Sequence, residues 1–357
     1  MKKKSNTVSF KNQLFYIGMD VHKRSWTVTI RTNGMVLQTY SMNPDPAELA
    51  RHVNRNYPGG IYKSAYEAGF CGFWIHNKLT ELGIENIVLH AADVPTTNKE
   101  KVNKTDKVDS KKIAKKLEND DLNSIYVPGN KEQQLRSLCR LRSRLVSHST
   151  RLKNRIKGHL NFYGVELPLN HEMAHWSANF IKYLESMCIG KKPGVDYLRI
   201  CINELKEERT RILEVTKLLR SYMQKMPIWE TTISNLLSIP GIGFFTAARL
   251  YTEIIDINRF KNINKLATFV GLVPGSNSSG DKEQCTGITS RKNPHLRYML
   301  VEASWIAVRR DPSLLKSFSE LTKRMTKSQA IIRIARKLLN RIRFVWKNET
   351  PYKYFVN

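Results

Sequence analysis

Four acidic residues in the first third of the chain stand where carboxylates could bind a divalent metal ion. Asp20 ends an apolar run in IGMDVHK, Glu67 ends another in SAYEAG, and Asp106 and Asp109 follow in KTDKVDSKK. The spacing of the last two puts both carboxylates on one face of a helix, a turn apart. Converging carboxylates repel each other unless a cation lies between them, and Mg²⁺ or Mn²⁺ takes oxygen ligands. The four acids are therefore predicted to bind metal and to be catalytic in phosphoryl transfer.

Lysines around the Asp106–Asp109 pair are predicted to hold a nucleic-acid backbone through its phosphates. A simpler alternative stays open for the acids. An aspartate at a strand end commonly caps a turn, and the two later aspartates could cap the N-terminus of a helix. The predicted backbone-binding lysines are Lys104, Lys107, Lys111 and Lys112.

A polar segment in the last third, GLVPGSNSSGDKEQCTGITSRKNPHLR, is poor core material and is predicted to be a loop between helices. A serine hydroxyl is a weak nucleophile, so phosphoryl transfer by such a loop needs a base, a metal or a cationic clamp. A flexible surface loop without chemistry is the alternative. The side chains that could form a clamp, and are predicted to bind nucleic acid, are Lys282, Arg291, Lys292 and Arg297.

Two shorter patterns also suggest chemistry. Gly241 and Gly243 in PGIG resemble a helix-hairpin-helix turn, where backbone N–H groups approach a phosphate; an ordinary glycine turn is the alternative. His171 and His175 match the HExxH pattern of zinc proteases, which requires a helix. The flanks NHEMAHW do not read as a long apolar helix, so this match is expected to be accidental.

The elements that position the acids are predicted from periodicity in the first 125 residues. Their order, βββαβαβα, is typical of an α/β domain whose mixed sheet opens with a three-strand meander. Asn33-Gly34 predicts a hairpin turn, and Gly83 predicts a helix end. The predicted strands are 15–21, 26–31, 35–40, 61–67 and 86–90, and the helices are 46–56, 73–82 and 108–117.

The rest of the chain is predicted to be all-α. Leucines at helical spacing in 131–163 and a second long pattern in 195–225 indicate an antiparallel helical hairpin or coiled coil. Two ordinary amphipathic helices packed on a core are the alternative. The expected domains are 1–125, 126–226 and 227–357.

A formal net charge of +28 makes a polyanion the expected partner, with nucleic acid favoured over an anionic membrane. No apolar run approaches the about 18 residues needed to span a bilayer. The N-terminus MKKKSNTVSF lacks the apolar core of a secretion signal, so a cytoplasmic protein is expected. The basic amphipathic segment 329–346 could lie on a membrane, although nucleic acid binding or packing is favoured. Five scattered cysteines predict neither disulfides nor a zinc ribbon.

The motifs IGMDVHK, YEAG and KTDKVDSKKIA together resemble the DEDD transposases of bacterial insertion sequences, a family that includes the Piv-type DNA invertases. GLVPGSNSSGDK and the run TGITSRKNPHLRYMLVEA resemble the C-terminal domain of the same family. The two motifs stand in the family's order and, with a helical insert between them, cover most of the chain. Asp281 is a departure, because many relatives have glycine there.

The resemblance implies a RuvC-like N-terminal domain with a ribonuclease-H fold and makes the four acids the Mg²⁺ (or Mn²⁺) ligands. It also implies that Ser279, or Ser278 as the fallback, attacks a DNA phosphate and forms a phosphoserine link before strand exchange. A site shared between subunits is implied, and therefore a homodimer or homotetramer. The implied partners are double-stranded donor and target DNA and a structured guide RNA.

The favoured prediction is a DNA transposase or site-specific recombinase of a mobile element. A RuvC-like nuclease or resolvase would explain the acids but not the last third of the chain. A non-catalytic nucleic-acid-binding protein would explain the charge and leave the four acids without a role.

Overall fold

The computed structural model describes residues 9–90, 106–188, 193–279, 282–289 and 292–353, and within them the side chains of 106–107, 276–279 and 282–286 lie outside the description. The chain divides into two compact units, Met1–Val127 and Pro128–Asn357. The three-domain division expected from the sequence stays a prediction.

The first unit is built on one mixed five-stranded sheet. Strands β1, β2 and β3 form an antiparallel meander, whereas β4 and β5 continue parallel to β1, giving the order β3-β2-β1-β4-β5. The mixed sheet with its opening meander confirms the prediction. The strands are β1 (Leu14–Val21), β2 (Trp26–Thr32), β3 (Met35–Met42), β4 (Ile61–Glu67) and β5 (Glu85–Leu89).

Among the described residues of this unit, three helices cover the sheet: α1 (Pro46–Asn56), α2 (Trp74–Glu81) and α3 (Asp106–Glu118). Helix α1 begins where predicted because the Asp45 side chain accepts a hydrogen bond from the Ala47 amide at 2.8 Å. Helices α1 and α2 pack with the apolar face of β1 in the main core. Helix α3 covers the opposite face, where Ile113 packs with Ala65 and Leu89. The two faces of β1 therefore serve different purposes, one for the core and one for α3.

The second unit is mostly helical and contains one two-stranded sheet. A π-helical turn, Trp229–Ile233, precedes its fourth helix. The helices are α4 (Asn130–Phe162), α5 (Ala178–Ser186), α6 (Val195–Gln224), α7 (Ser234–Leu237), α8 (Phe244–Ile254), α9 (Ile263–Val270), α10 (Pro294–Arg310), α11 (Pro312–Thr322) and α12 (Lys327–Asn348). The strands are β6 (Pro274–Ser279) and β7 (Lys282–Ile288).

Helices α4 and α6 lie against each other in antiparallel directions, within one residue of their predicted bounds at each end. Arg142 Nε donates to Thr216 Oγ1 at 3.0 Å near one end of the pair. At the other end the rings of His159 and Tyr197 lie 4.4 Å apart. Leucine and isoleucine side chains of both helices join helix α5 in a separate apolar cluster.

The basic helix α12 is packed into the core of the second unit. Ile334, Leu338 and Ile342 on its apolar face are fully buried. Some of its cations bind neighbouring groups, as Arg336 does with Asn264 at 2.6 Å. The apolar face that suggested a membrane surface is therefore occupied by protein. No helix in the described part of the chain is long and apolar enough to cross a membrane.

Candidate active site

The register of β1 and β4 brings two of the predicted acids to neighbouring positions. In this parallel pair Gly18 faces Ala65 and Met19 faces Tyr66, so the next residues along the two strands are Asp20 and Glu67. Side chains two residues apart point to the same face of a sheet. Asp20 therefore shares the face of Gly18, and Glu67 shares the face of Ala65.

Helix α3 covers that same face at very close range. A Cβ atom on Gly18 would lie 2.1 Å from the Ser110 carbonyl oxygen and 2.4 Å from the Ala114 nitrogen. Only a residue without a side chain allows this approach. The Ser110 hydroxyl also forms a 2.9 Å hydrogen bond with the hydroxyl of Thr29, which pairs with Gly18 across β1 and β2. The first turns of α3 are thus held directly against the strand that carries Asp20.

Asp109 immediately precedes Ser110 and is brought to the acidic end of the sheet by this packing. Asp20, Glu67 and Asp109 are all half-buried. Asp20 also lies 3.3 Å from the His22 imidazole, a contact that the sequence reasoning did not foresee. Asp106 begins helix α3, one turn before Asp109, and its side chain lies outside the described residues.

The donor set suits a hard divalent cation, because all four predicted ligands supply carboxylate oxygens. Within the described ranges, however, no three His, Cys, Asp or Glu side chains form a group close enough to hold a metal ion. Asp20 and Glu67 therefore share one face of the sheet, and the described residues include no complete set of metal ligands around them.

The opposite end of α3 is anchored by Glu118. Its carboxylate accepts a hydrogen bond from Arg31 Nε at 2.7 Å and another from the Gly34 amide, in the β2–β3 turn, at 2.6 Å. Burial alone would raise the pKa of Glu118, but these hydrogen bonds and the Arg31 charge outweigh it, and the pKa lies below its usual value. Glu118 and Gly18 together fix how α3, and with it Asp109, lies on the sheet.

The predicted lysines fall into two groups. Lys104 lies outside the described residues, and so does the side chain of Lys107. Lys111 is exposed on α3 and Lys112 is half-buried there. Their nucleic-acid role stays a prediction.

The HExxH match is not a zinc site. Residues 171–175 form turns and bends instead of the required helix. The His175 imidazole bonds to the Pro168 carbonyl at 2.8 Å and lies beside the Phe180 ring. Glu172 accepts a hydrogen bond from the Leu169 amide at 2.9 Å. Local turn contacts therefore account for these residues.

The predicted serine loop is instead a β-hairpin, which corrects the sequence expectation. Strands β6 and β7 pair antiparallel, with Ser278 opposite Glu283 and Ser279 opposite Lys282. Ser279 is thus the last residue of its strand, immediately before the connection to β7. The side chains of Ser278, Ser279 and Lys282 lie outside the described residues, as does Asp281 entirely.

The hairpin is tied to the helices at its base. The Thr289 amide donates to the Val273 carbonyl at 3.0 Å, and the Asn293 amide donates to the Phe269 carbonyl at 3.1 Å. Arg297 donates to the Thr289 carbonyl. Burial lowers the pKa of Arg297. Its guanidinium, predicted to clamp nucleic acid, is engaged in holding the hairpin base.

The other two cations of the predicted clamp differ in what can be described. Lys292 is exposed, whereas Arg291 lies outside the described residues. Clamping of nucleic acid by this set stays a prediction.

The PGIG segment forms the turn between α7 and α8. Gly241 has φ +85°, and a Cβ atom there would lie 2.4 Å from the Ala303 carbonyl oxygen of α10. Gly243 is the N-cap of α8 and has open space around its Cα atom. A cleft of about 340 Å³ lies between this turn and Ile306 and Arg310 of α10. Gly241 thus has a packing role, while Gly243 is open to a ligand.

Comparison with known proteins assigns both regions. Residues 17–165 match the DEDD transposase model of the IS110 type, and residues 233–320 match the model of the transposase IS116/IS110/IS902 family. The chain belongs to the IS110 family of DEDD transposases. The first match contains all four predicted acids, and the second contains Ser279 and the PGIG turn.

Three relatives illustrate the range of this transposase family. The protein y4rJ of Sinorhizobium fredii, assigned as a transposase, is 26% identical over 91% of this chain and 89% of its own length. The transposase for insertion sequence element IS1111A of Coxiella burnetii is 28% identical over 57% of this chain and 55% of its own length. The pilin gene-inverting protein of Moraxella bovis is 34% identical over 33% of this chain and 38% of its own length.

The transposase is therefore an enzyme that acts on DNA, and its family implies dependence on a divalent metal ion in general. The alternative of a non-catalytic nucleic-acid-binding protein is excluded by this membership.

Proposed function

We propose that this transposase cuts and rejoins DNA of a mobile insertion sequence with two cooperating groups, a metal-binding acidic set and a serine nucleophile. The acidic set is Asp20 and Glu67, on a sheet of RuvC-like, ribonuclease-H-like topology, together with Asp106 and Asp109 on α3. The observation that carries this part is the β1–β4 register, which supports a common site by giving Asp20 and Glu67 adjacent positions on the face covered by α3.

Mg²⁺ or Mn²⁺ in such a set would supply a Lewis acid that stabilises charge on the phosphoryl oxygens. The protein's own contribution is to hold the carboxylates at one sheet end. The close contact of Gly18 with Ser110 and the anchoring of Glu118 by Arg31 support that role.

The proposed covalent step is a transesterification at Ser279. Its hydroxyl oxygen bonds to the phosphorus of a DNA phosphodiester as one bridging P–O bond breaks. The proton lost by the serine ends on the departing DNA oxygen. The step is not a hydrolysis, because the attacking oxygen belongs to the serine and no water is consumed. A second DNA hydroxyl then attacks the phosphoserine and restores the serine. The position of Ser279 at the end of β6, where a hairpin presents its tip, supports this assignment over Ser278.

We further propose that the acidic set and the serine come from different subunits of a homodimer or homotetramer. A structured non-coding RNA would pair with donor and target DNA. Both proposals derive from the family resemblance. Particles purified from cells would contain a discrete RNA species if the second is correct, and nuclease-treated protein would lose site selectivity.

A denaturation-resistant protein–DNA adduct tests the serine chemistry. With Mg²⁺ and DNA carrying the element ends, the native protein should form the adduct and Ser279→Ala should form none. Ser278→Ala is the matched control one residue away and should keep the adduct. A metal-dependent nuclease would instead cut DNA without any adduct in all three proteins, and that result would reject the serine nucleophile.

A further inference from the structure

Four arginines lie along the seam where α4 packs on α8. Arg136, Arg140 and Arg142 project from α4, and Arg249 projects from α8. Arg136 Nε donates to the Thr252 carbonyl at 2.7 Å, which fixes one end of the seam. Arg142 lies at the other end, with its guanidinium carbon 3.2 Å from the centre of the Phe245 ring. We name this set the seam arginines.

A single carboxylate lies among the seam arginines in the described part of the chain. Glu253 is 3% exposed and accepts hydrogen bonds from Arg140 Nε at 2.8 Å and from Arg140 Nη2 at 2.9 Å. Glu253 also accepts a hydrogen bond from the side-chain amide of Asn293 at 3.2 Å. Burial by itself would raise the pKa of Glu253. The hydrogen bonds and charge of Arg140, the hydrogen bond from Asn293 and the charge of Arg136 together outweigh burial, so the pKa of Glu253 lies below its usual value. Both carboxylate oxygens of Glu253 thus accept hydrogen bonds from Arg140, and one of them also accepts from Asn293.

The Arg249 side chain has no such hydrogen-bonded partner among the residues that the structure describes, although it is half-buried. The charge of Glu253 acts on Arg249, but the oxygens of Glu253 accept hydrogen bonds from Arg140 and Asn293. Burial lowers the pKa of Arg249. The pKa of Arg142 is also lowered, mainly by burial and to a smaller extent by the positive charge of Arg249. The guanidinium groups of Arg142 and Arg249 therefore share a partly desolvated region whose carboxylate, Glu253, is already hydrogen-bonded to Arg140 and Asn293. Such an arrangement is costly until an anion arrives.

A phosphate is the anion that this geometry fits best. Guanidinium groups present paired donors that match phosphate oxygens, and they are less strongly hydrated than an ammonium group. The seam is open to such a ligand, since the Arg140 side chain is 41% exposed. Carboxylate groups of another protein would compete less well against the polyanion that this DNA enzyme binds.

The seam lies beside the base of the serine hairpin. Asn293 contacts Glu253 and also caps α10, accepting from the His295 amide at 2.9 Å and the Leu296 amide at 3.2 Å. Asn293 is the fifth residue after Ile288, the last residue of β7. The first turn of α10 adds the favourable potential of a helix N-terminus for an anion. A phosphate bound at the seam would therefore belong to DNA lying next to the hairpin.

We propose that Arg249, together with Arg142 and Arg140, binds a backbone phosphate of the DNA substrate. The phosphate contact itself needs only the established DNA activity. Its assignment to the strand that meets Ser279 depends on the proposed serine chemistry.

The salt dependence of DNA binding tests the contact directly. The full-length protein is titrated against a random-sequence duplex of about 30 base pairs, with affinity measured by fluorescence anisotropy at several salt concentrations. Loss of one phosphate contact lowers the slope of log K against log salt by about 0.9. Arg249→Gln should show that smaller slope. When salt is raised from about 50 to about 200 mM, the factor by which its DNA affinity falls should be about 3-fold smaller than the factor for the native protein.

Two variants control for charge and structure. Arg211→Gln removes the same charge from α6, where Arg211 pairs with Glu207 at 3.4 Å, and should keep the native slope. Arg249→Lys keeps the charge and should keep the slope. An unchanged slope in Arg249→Gln, or an equal fall in Arg211→Gln, would overturn the proposal. If Arg249→Gln does not fold, Arg142→Gln is read in the same way.

A structured RNA of similar length provides the second arm. A slope change seen with RNA and absent with DNA would also overturn the proposal. Ser279→Ala should retain the native slope while losing the adduct, so failure of the serine chemistry and failure of the phosphate contact give different results.

Discussion

Gly18 on β1 lies so close to Ser110 on α3 that any Cβ atom would meet the Ser110 carbonyl oxygen at 2.1 Å. This contact determines how near Asp109 can come to Asp20, because Ser110 follows Asp109 and Gly18 is two residues from Asp20 on the same face. The close packing of α3 on β1 thus requires a residue without a side chain at position 18.

Gly18→Ala should therefore push α3 away from the sheet. We expect a loss of about 1–3 kcal/mol in the free energy of unfolding, the usual cost of overpacking, together with loss of DNA cleavage. Thermal or urea unfolding and a cleavage assay measure the two effects. Gly69→Ala is the control for stability, since Gly69 has open space around it. Native stability in Gly18→Ala would contradict the close packing.

Glu118→Gln should destabilise the first unit in a pH-dependent way. The lost charged hydrogen bonds to Arg31 and Gly34 are worth about 1.5–3 kcal/mol. Because the pKa of Glu118 is lower in the folded than in the unfolded protein, its contribution is complete above the ordinary value of 4.5 and is lost as the pH falls through the folded value. The difference in unfolding free energy between native protein and variant should therefore be largest near neutral pH and shrink in acid.

The surface pair Lys63–Glu85 provides the comparison for this pH series. Its carboxylate lies 3.4 Å from Lys63 and is 61% exposed, so Glu85→Gln should change stability by less than about 1 kcal/mol. A pH-independent effect of Glu118→Gln would show that shape, and not charge, accounts for the anchor.

Asp20→Asn and Glu67→Gln should each abolish metal-dependent cleavage while the protein stays folded. An amide keeps the shape of the carboxylate but loses its charge and much of its affinity for Mg²⁺. We expect a larger loss than the about 10–100-fold seen when an outer-shell partner of a metal ligand is removed. Direct titration with Mn²⁺ should show weakened binding in both variants. Asp121→Asn, an exposed change in the same unit, should behave like the native protein; retained cleavage in Asp20→Asn would remove the acidic site from the mechanism.

Gly241→Ala and Gly243→Ala should separate packing from ligand binding in the PGIG turn. Gly241 combines a left-handed φ of +85° with a close approach to the Ala303 carbonyl, so alanine there should cost about 1–3 kcal/mol or more. Alanine at the N-cap Gly243 should cost less than about 1 kcal/mol. Melting temperatures test this difference. A smaller effect at Gly241 than at Gly243 would contradict the contact with α10.

Local chemistry made the first unit largely predictable. Asp45 and the Pro at the start of α1, the Asn33-Gly34 turn and the alternation in β1 all act within a few residues, so their signals can be read along the chain. The four acids were predicted for a related reason, since each ends or begins a periodic segment. The contact of Asp20 with His22 and the anchoring role of Glu118 carried no such signal.

The segment 274–288 shows where local reasoning fails. Its glycines, serines and asparagine are typical of loops, yet its two halves pair as an antiparallel hairpin. The hydrogen bonds of Thr289 and Asn293, which lie outside the segment, hold the base of this hairpin. The sequence reasoning did not single out the seam arginines, because their clustering around Glu253 joins helices that lie more than 100 residues apart in the chain.

The sequence by itself determined which residue types are present for chemistry, the order of strands and helices around them, and a charge that favours a polyanionic partner. Tertiary structure alone decided that Asp20 and Glu67 are neighbours under α3 and that Arg249 lies beside Arg142 near a carboxylate, Glu253, that is hydrogen-bonded to Arg140. The reason is physical: periodicity and capping are encoded over a few residues, whereas strand register and helix packing arise from contacts between distant segments.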